Sequence, residues 1–129
     1  MALIQQNLEK LELLTFHATA ARTATGNATG VDLRQYDGDL VLILDSAAAG
    51  AGTNPTLDVT VEHSDASGSG YTAITGAAFT QVTNTASQQK LVISRDEAKR
   101  YVRVTYTIGG TNSPSFTFSV NGVAVKKYG

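Results

Sequence analysis

Thr56-Leu57-Asp58-Val59-Thr60-Val61-Glu62-His63-Ser64 is the stretch that decides the fold class. Leu57, Val59 and Val61 fall on one side; Asp58, Thr60 and Glu62 fall on the other. A period of two belongs to a strand with one face on a core and one face in water. A helix would instead space its apolar residues three and four apart. His63 continues the apolar side and is expected at the end of a core face. The same alternation returns in Val102, Val104, Tyr106 and Ile108. It returns again in Phe116, Phe118 and Val120, and resumes at Val123 and Val125 after Asn121-Gly122 breaks it.

Working outward, the intervening text supplies more short strands and the turns between them. Residues 15–25 predict a strand, followed by turn signals at Gly26-Asn27 and Thr29-Gly30 and a short strand over residues 31–33. Asp37-Gly38 reads as a tight turn. Residues 40–44 are five consecutive aliphatics, the pattern of a central strand buried on both faces. Each would contribute roughly 1.5–3 kcal/mol on burial. A hairpin-like loop over residues 65–70 precedes short strands at residues 71–74, 79–82 and 88–93. Ser94-Arg95-Asp96-Glu97 matches a capping box and predicts one helical turn over residues 96–99. Gly109-Gly110 and Asn112-Ser113-Pro114 are expected to close the strand that starts at Tyr101. Turn signals about every ten residues, with no long helical segment between strands, predict an all-β antiparallel sandwich, Ig-like or jelly-roll-like, of about seven or eight strands.

Composition agrees with a globular chain. The 129 residues are 42% hydrophobic and 16% charged, with a net charge of −1 and no cysteine. That rules out disulfides and thiolate metal sites, and leaves no one-signed field to attract nucleic acid or an anionic membrane. The longest aliphatic run, residues 40–44, is far short of the about 20 residues of a membrane span. The N-terminal stretch is broken by Gln5, Gln6, Asn7, Glu9 and Lys10, so it is not expected to be a secretory signal.

The first fourteen residues read differently from the rest. Ile4, Leu8 and Leu11 recur at helical spacing, with Leu3, Leu13 and Leu14 close by. Residues 1–14 are expected to form an N-terminal arm, and residues 15–129 the sandwich domain. The arm has two readings. Either it is a short helix or strand folded on its own domain, or it docks on a neighbouring subunit through Leu3, Ile4, Leu8, Leu11 and Leu14.

Chemistry is sparse. Two histidines, His17 and His63, are too few for a zinc site without carboxylates. Asp65, Ser67 and Ser69 alternate in a Gly-rich loop, but fall short of an EF-hand and match ordinary turn chemistry. Were a metal found, His17, His63 and Asp65 would be the first ligands to test. No phosphate loop is present, because no Gly-Lys-Ser/Thr follows residues 50–52. Residues 95–103 mix acids and bases and lack the interleaved aromatics of a nucleic-acid patch. Tyr101 is expected either to tie down the preceding corner through its hydroxyl or to be an ordinary half-buried strand aromatic. No enzyme activity and no cofactor are expected.

Several stretches carry a family texture. Thr56 through Ser64 runs into Tyr71-Thr72-Ala73-Ile74-Thr75-Gly76-Ala77-Ala78-Phe79-Thr80-Gln81-Val82, followed by Lys99-Arg100-Tyr101-Val102-Arg103-Val104 and Ser113-Pro114-Ser115-Phe116-Thr117-Phe118-Ser119-Val120. Across residues 30–125 they resemble small virion structural proteins of tailed bacteriophages, and within them the capsid decoration, or cement, proteins. The resemblance is of strand texture, with no catalytic motif. It implies a protein made in the host cytoplasm that sits on the capsid surface, commonly as a homotrimer, with the major capsid protein as its partner. No charged docking patch accompanies it. A tail, head–tail or fibre component is the nearest alternative. A carbohydrate-binding sandwich is a further one; with no Trp, Tyr36, Tyr71 and Tyr128 are its candidate platforms.

Overall fold

In a computed structural model, residues 11–94 and 97–126 are described. Eight strands follow in order: β1 (Leu11–Arg22), β2 (Gly26–Asn27), β3 (Val31–Asp32), β4 (Tyr36–Ser46), β5 (Ala51–Ser64), β6 (Thr72–Ala78), β7 (Ser87–Ile93) and β8 (Tyr101–Lys126). Every pairing among them is antiparallel. No helix occurs among the described residues, so none there is long and apolar enough to cross a membrane.

The organising element is a long ribbon. The chain from β4 through β5 runs antiparallel to β8 over nearly its whole length, from Tyr36 opposite Lys126 to Ser64 opposite Tyr101. Midway the ribbon bends, and its two halves become two layers. One layer is ordered β1-β8-β4-β7; the other is β6-β5-β8, with β2 and β3 on the free side of β8. A ribbon folded across two facing layers is a jelly-roll-like sandwich.

The bend explains the first departure from expectation. Gly110, Asn112 and Ser113 take positive φ (112°, 61° and 55°), as do Gly52 and Asn54 on the facing strand (108° and 49°). These residues form bulges that turn both strands without ending their pairing: Thr111 still faces Thr53 and Ser115 still faces Ala51. Residues expected to close a strand therefore bend one.

Inner residues of the two layers form one core. Leu14, Phe16, Leu40, Leu42, Leu44, Phe116, Phe118 and Val120 come from one layer. Leu57, Val59, Val61, Val102, Val104 and Tyr106 come from the other. Residues 40–44 are not buried on both faces. Leu40, Leu42 and Leu44 are buried while Val41 and Ile43 are half-exposed, because among the described residues no second layer covers the outside of β4. Asp37-Gly38 is not a hairpin turn but an irregularity inside β4, with Gly38 at φ 76°. Gly122 does not break its strand either. It lies extended within β8, opposite Leu14 and Leu42, and leaves the space that the Phe16 ring fills.

Arg95 and Asp96 of the capping box lie outside the described residues. Beyond them, the Glu97 and Ala98 amides donate to the Ser94 carbonyl at 3.1 and 3.2 Å. Tyr101 is a half-buried strand aromatic, with the Arg100 guanidinium 5.0 Å from its ring centre.

Candidate interaction surface

Strand register decides which outward side chains meet. Leu13 faces Val123, Val123 faces Val41, and Val41 faces Val92. Directly opposed residues of antiparallel strands share a face. The four side chains therefore make one apolar row across β1, β8, β4 and β7, on the outside of that layer. Its ends are open: Leu13 is 80% exposed and Val92 55%. Leu11, 40% exposed and opposite Val125, extends the row at one corner. Ile43, next to it on β4, faces Lys90 and Asn121.

The outside of the other layer is polar. There Glu62 faces Arg103, Thr60 faces Thr105, and Asp58 faces Thr107. Arg103 Nε donates to Glu62 Oε1 at 2.9 Å. Arg100 donates to both Asp32 carboxylate oxygens, at 3.1 and 2.9 Å. That contact holds the Asp32 carboxyl below its usual pKa. Gln81 bonds the Asp58 carboxylate. Among the described residues, one outer face thus carries charges paired within the chain, while the other presents an aliphatic row exposed at both ends.

Of the expected arm residues, Leu3, Ile4 and Leu8 lie outside the described residues. Leu11 and Leu14 are both in β1. Leu11 lies at the corner of the apolar face, whereas Leu14 points inward and is 9% exposed within the chain's own core. A truncation that removes residues 1–14 would therefore also strip Leu14 from the core; a cut after residue 10 would not.

The histidines have structural surroundings. His17 is buried, stacked on Phe118 with ring centres 4.1 Å apart and edge-on to Tyr106 at 5.2 Å. Arg22 Nε donates to His17 Nε2 at 3.0 Å, which assigns the imidazole proton to Nδ1. Burial, and then the Arg22 charge, push the His17 pKa below 6.5; the Phe118 backbone acts in the opposite direction without reaching hydrogen-bond geometry at Nδ1. The unfolded chain therefore binds a proton at a pH where the folded chain does not. The stabilisation from neutral His17 is complete above about pH 6.5 and is lost as the pH falls from there toward its folded value. The urea midpoint of the wild type should fall between pH 7 and pH 5.5, and that of His17→Gln should fall less. Equal slopes would show that His17 is not the group responsible.

His63 is half-buried, and its Nδ1 accepts the Lys99 amide at 3.2 Å. In the Asp65 loop, the carbonyls of Ser67 and Ser69 accept from the Tyr71 and Ser64 hydroxyls. Among the described residues, no three His, Cys, Asp or Glu side chains come together to hold a metal ion. The candidate sugar platforms are also engaged. Tyr36 is 7% exposed and donates to Glu12 Oε2 at 2.9 Å. Tyr71 carries the Arg103 guanidinium 4.0 Å from its ring centre. Tyr128 lies outside the described residues.

No family model matches the chain, and no curated protein matches its sequence. Solved structures do share its fold. The PBSX exported protein XepA aligns with a TM-score of 0.57 and 20% identity, over 92% of this chain and 38% of that one. The structure of infectious bursal disease virus, Gx strain, aligns at 0.55 and 12% identity, over 90% of this chain and 32% of that one. The CBM22-1–GH10 modules of Clostridium thermocellum xylanase 10B, complexed with xylohexaose, align at 0.50 and 11% identity, over 94% of this chain and 25% of that one. The chain thus spans well under half the length of each of these proteins. At such identities the likeness is one of fold.

Proposed function

We propose that the chain is a non-catalytic structural protein of a virus particle, and specifically a decoration or cement protein on the outer capsid surface of a tailed bacteriophage. The observation that carries this reading is the apolar row on one outer face of the sandwich, exposed at both ends among the described residues. Contiguous exposed apolar surface marks a place where protein binds protein. The occurrence of the same fold in a subviral particle of infectious bursal disease virus and in the PBSX exported protein supports the virion class. In this reading the protein assembles as a homotrimer, and the major capsid protein is its partner. It clamps neighbouring capsid subunits and takes no cofactor.

Particles purified from the phage or prophage that carries this gene, separated into heads and tails and analysed by mass spectrometry, test the location. Recovery with heads in many copies supports the decoration reading. Recovery with tails alone would make it a tail or fibre component, and absence from particles would contradict a virion role altogether. The engagement of Tyr36 and Tyr71 counts against the carbohydrate-binding alternative, since sugar stacking needs an open ring face.

A further inference from the structure

We infer that Asp37 is a site of spontaneous isomerisation to isoaspartate, and that the fold selects it over the more reactive-looking Asn121.

The chain has two pairs in which Asp or Asn precedes Gly, Asp37-Gly38 and Asn121-Gly122. Such a pair rearranges when the glycine nitrogen attacks the side-chain Cγ. Glycine favours the step because no Cβ shields its amide. For aspartate, the N–Cγ bond forms as the carboxyl hydroxyl leaves with the amide proton as water, giving a five-membered succinimide. Water then opens the ring. Addition at Cγ restores aspartate; addition at the main-chain carbonyl leaves the chain running through Cγ, which is isoaspartate. One water is lost and one gained, so the mass is unchanged. By residue type alone the asparagine pair reacts faster, because a neutral amide is a better electrophile than a carboxylate.

The structure reverses that order. Gly38 N donates to Asp37 Oδ1 at 3.0 Å, so the carboxyl is folded back over the amide that must attack it, and Cγ is one bond from the contacting atom. An intramolecular reaction gains most from reacting atoms already held close. The backbone there is also free to rearrange. Residues 38–40 lie between Asp37, opposite Val125, and Val41, opposite Val123, and pairing with β7 begins only at Leu40. Asp37, Gly38 and Asp39 are exposed, and Gly38 has φ 76° with open space where a Cβ would stand. On either side Tyr36 and Leu40 are buried. The extra main-chain atom of isoaspartate is therefore taken up in the irregularity between two anchored residues.

Asn121 has the opposite surroundings. It faces Thr15 on β1 and Ile43 on β4, and Gly122 faces Leu14 and Leu42 on the same two strands. Ring closure there requires β8 to leave both neighbours, an opening of small population in a central strand. Asn112-Ser113, which is not paired this way, is held off its own amide instead: Asn112 Nδ2 donates to Thr53 Oγ1 at 2.6 Å.

Asp37→Asn puts the same residue pair at positions 37 and 121, so only structure distinguishes them. Folded Asp37→Asn protein, incubated in neutral buffer and mapped by mass spectrometry, should exchange its side-chain amide for a carboxyl at least about tenfold faster at position 37 than at position 121. In urea the two positions should react at similar rates. Folded wild type, aged in mildly acidic buffer, should gain isoaspartate at Asp37, detected by methyl transfer from an isoaspartyl methyltransferase and located by electron-transfer fragmentation. Equal rates at the two positions of folded Asp37→Asn protein would overturn the inference. So would folded wild type that forms no isoaspartate at Asp37 over a time in which the urea-unfolded chain does.

Discussion

Val104→Asp is expected to abolish folding. Val104 is fully buried in β8, directly opposite the fully buried Val61, in the centre of the inner face. An aspartate there finds no cationic partner among the core residues. An unpaired buried carboxylate costs several kcal/mol, either as charge or as the work of protonating it. Total stability for a domain of this size is about 5–15 kcal/mol, so the loss takes most of it. Circular dichroism melting reads the outcome. Thr105→Asp is the control: the next residue along the strand points outward and faces Thr60, and its replacement should cost about 1 kcal/mol, mainly through the lost hydrogen bond to the Gly26 carbonyl. If Val104→Asp melted normally and Thr105→Asp did not fold, the inward and outward faces of β8 would be exchanged by a one-residue slip.

The second large effect is expected at Gly122. A Cβ placed there would lie 2.4 Å from Phe16 Cε2 and 3.1 Å from its Cδ2. Phe16 is itself only 2% exposed, so its ring has no room to retreat. Gly122→Val should destabilise the protein by about 1–3 kcal/mol or more, the range for overpacked cores. Because Gly122 is extended, the cost comes from the ring and not from backbone strain. Phe16→Leu should therefore recover part of what Gly122→Ala loses, a coupling that a double-mutant cycle measures. Additive losses would mean that the ring does not lie over this glycine.

Much of the fold was legible in the sequence, and the reason is local. Alternation at Leu57, Val59 and Val61, at Val102 and Val104, and at Phe116 and Phe118 reports which side of each strand faces the core, and all seven of these residues are buried. What stayed hidden depends on partners distant in the chain. Asn112 and Ser113 look like the end of a strand, because their left-handed backbone is turn chemistry. Only the pairing with residues 51–56 shows that the ladder continues through the bend. Five aliphatics in a row imply two covered faces, and nothing in residues 40–44 reveals that Val41 and Ile43 stay half-exposed, with no covering layer among the described residues. Gly122 reads as a breaker until Phe16 is placed over it.

The candidate surface was half legible for the same reason. Leu11 and Leu13 drew attention as surplus apolar residues near the terminus. Val41, Val92 and Val123 did not, since each belongs to an ordinary strand. They become a surface only when register sets Leu13, Val123, Val41 and Val92 in one line. The burial of Leu14 and His17 likewise follows from β1 beginning by Leu11 and packing on β8, upstream of the strand expected over residues 15–25.

The cement reading stands or falls on shell stabilisation. Heads assembled from the major capsid protein of the phage that carries this gene should be heated with and without saturating full-length protein, and capsid disassembly followed by light scattering. The account predicts saturable binding to the outer surface and a higher disassembly temperature, both reduced by Leu13→Lys with Val92→Lys. A protein that fails to bind such heads, or binds them and leaves their disassembly temperature unchanged, would contradict it.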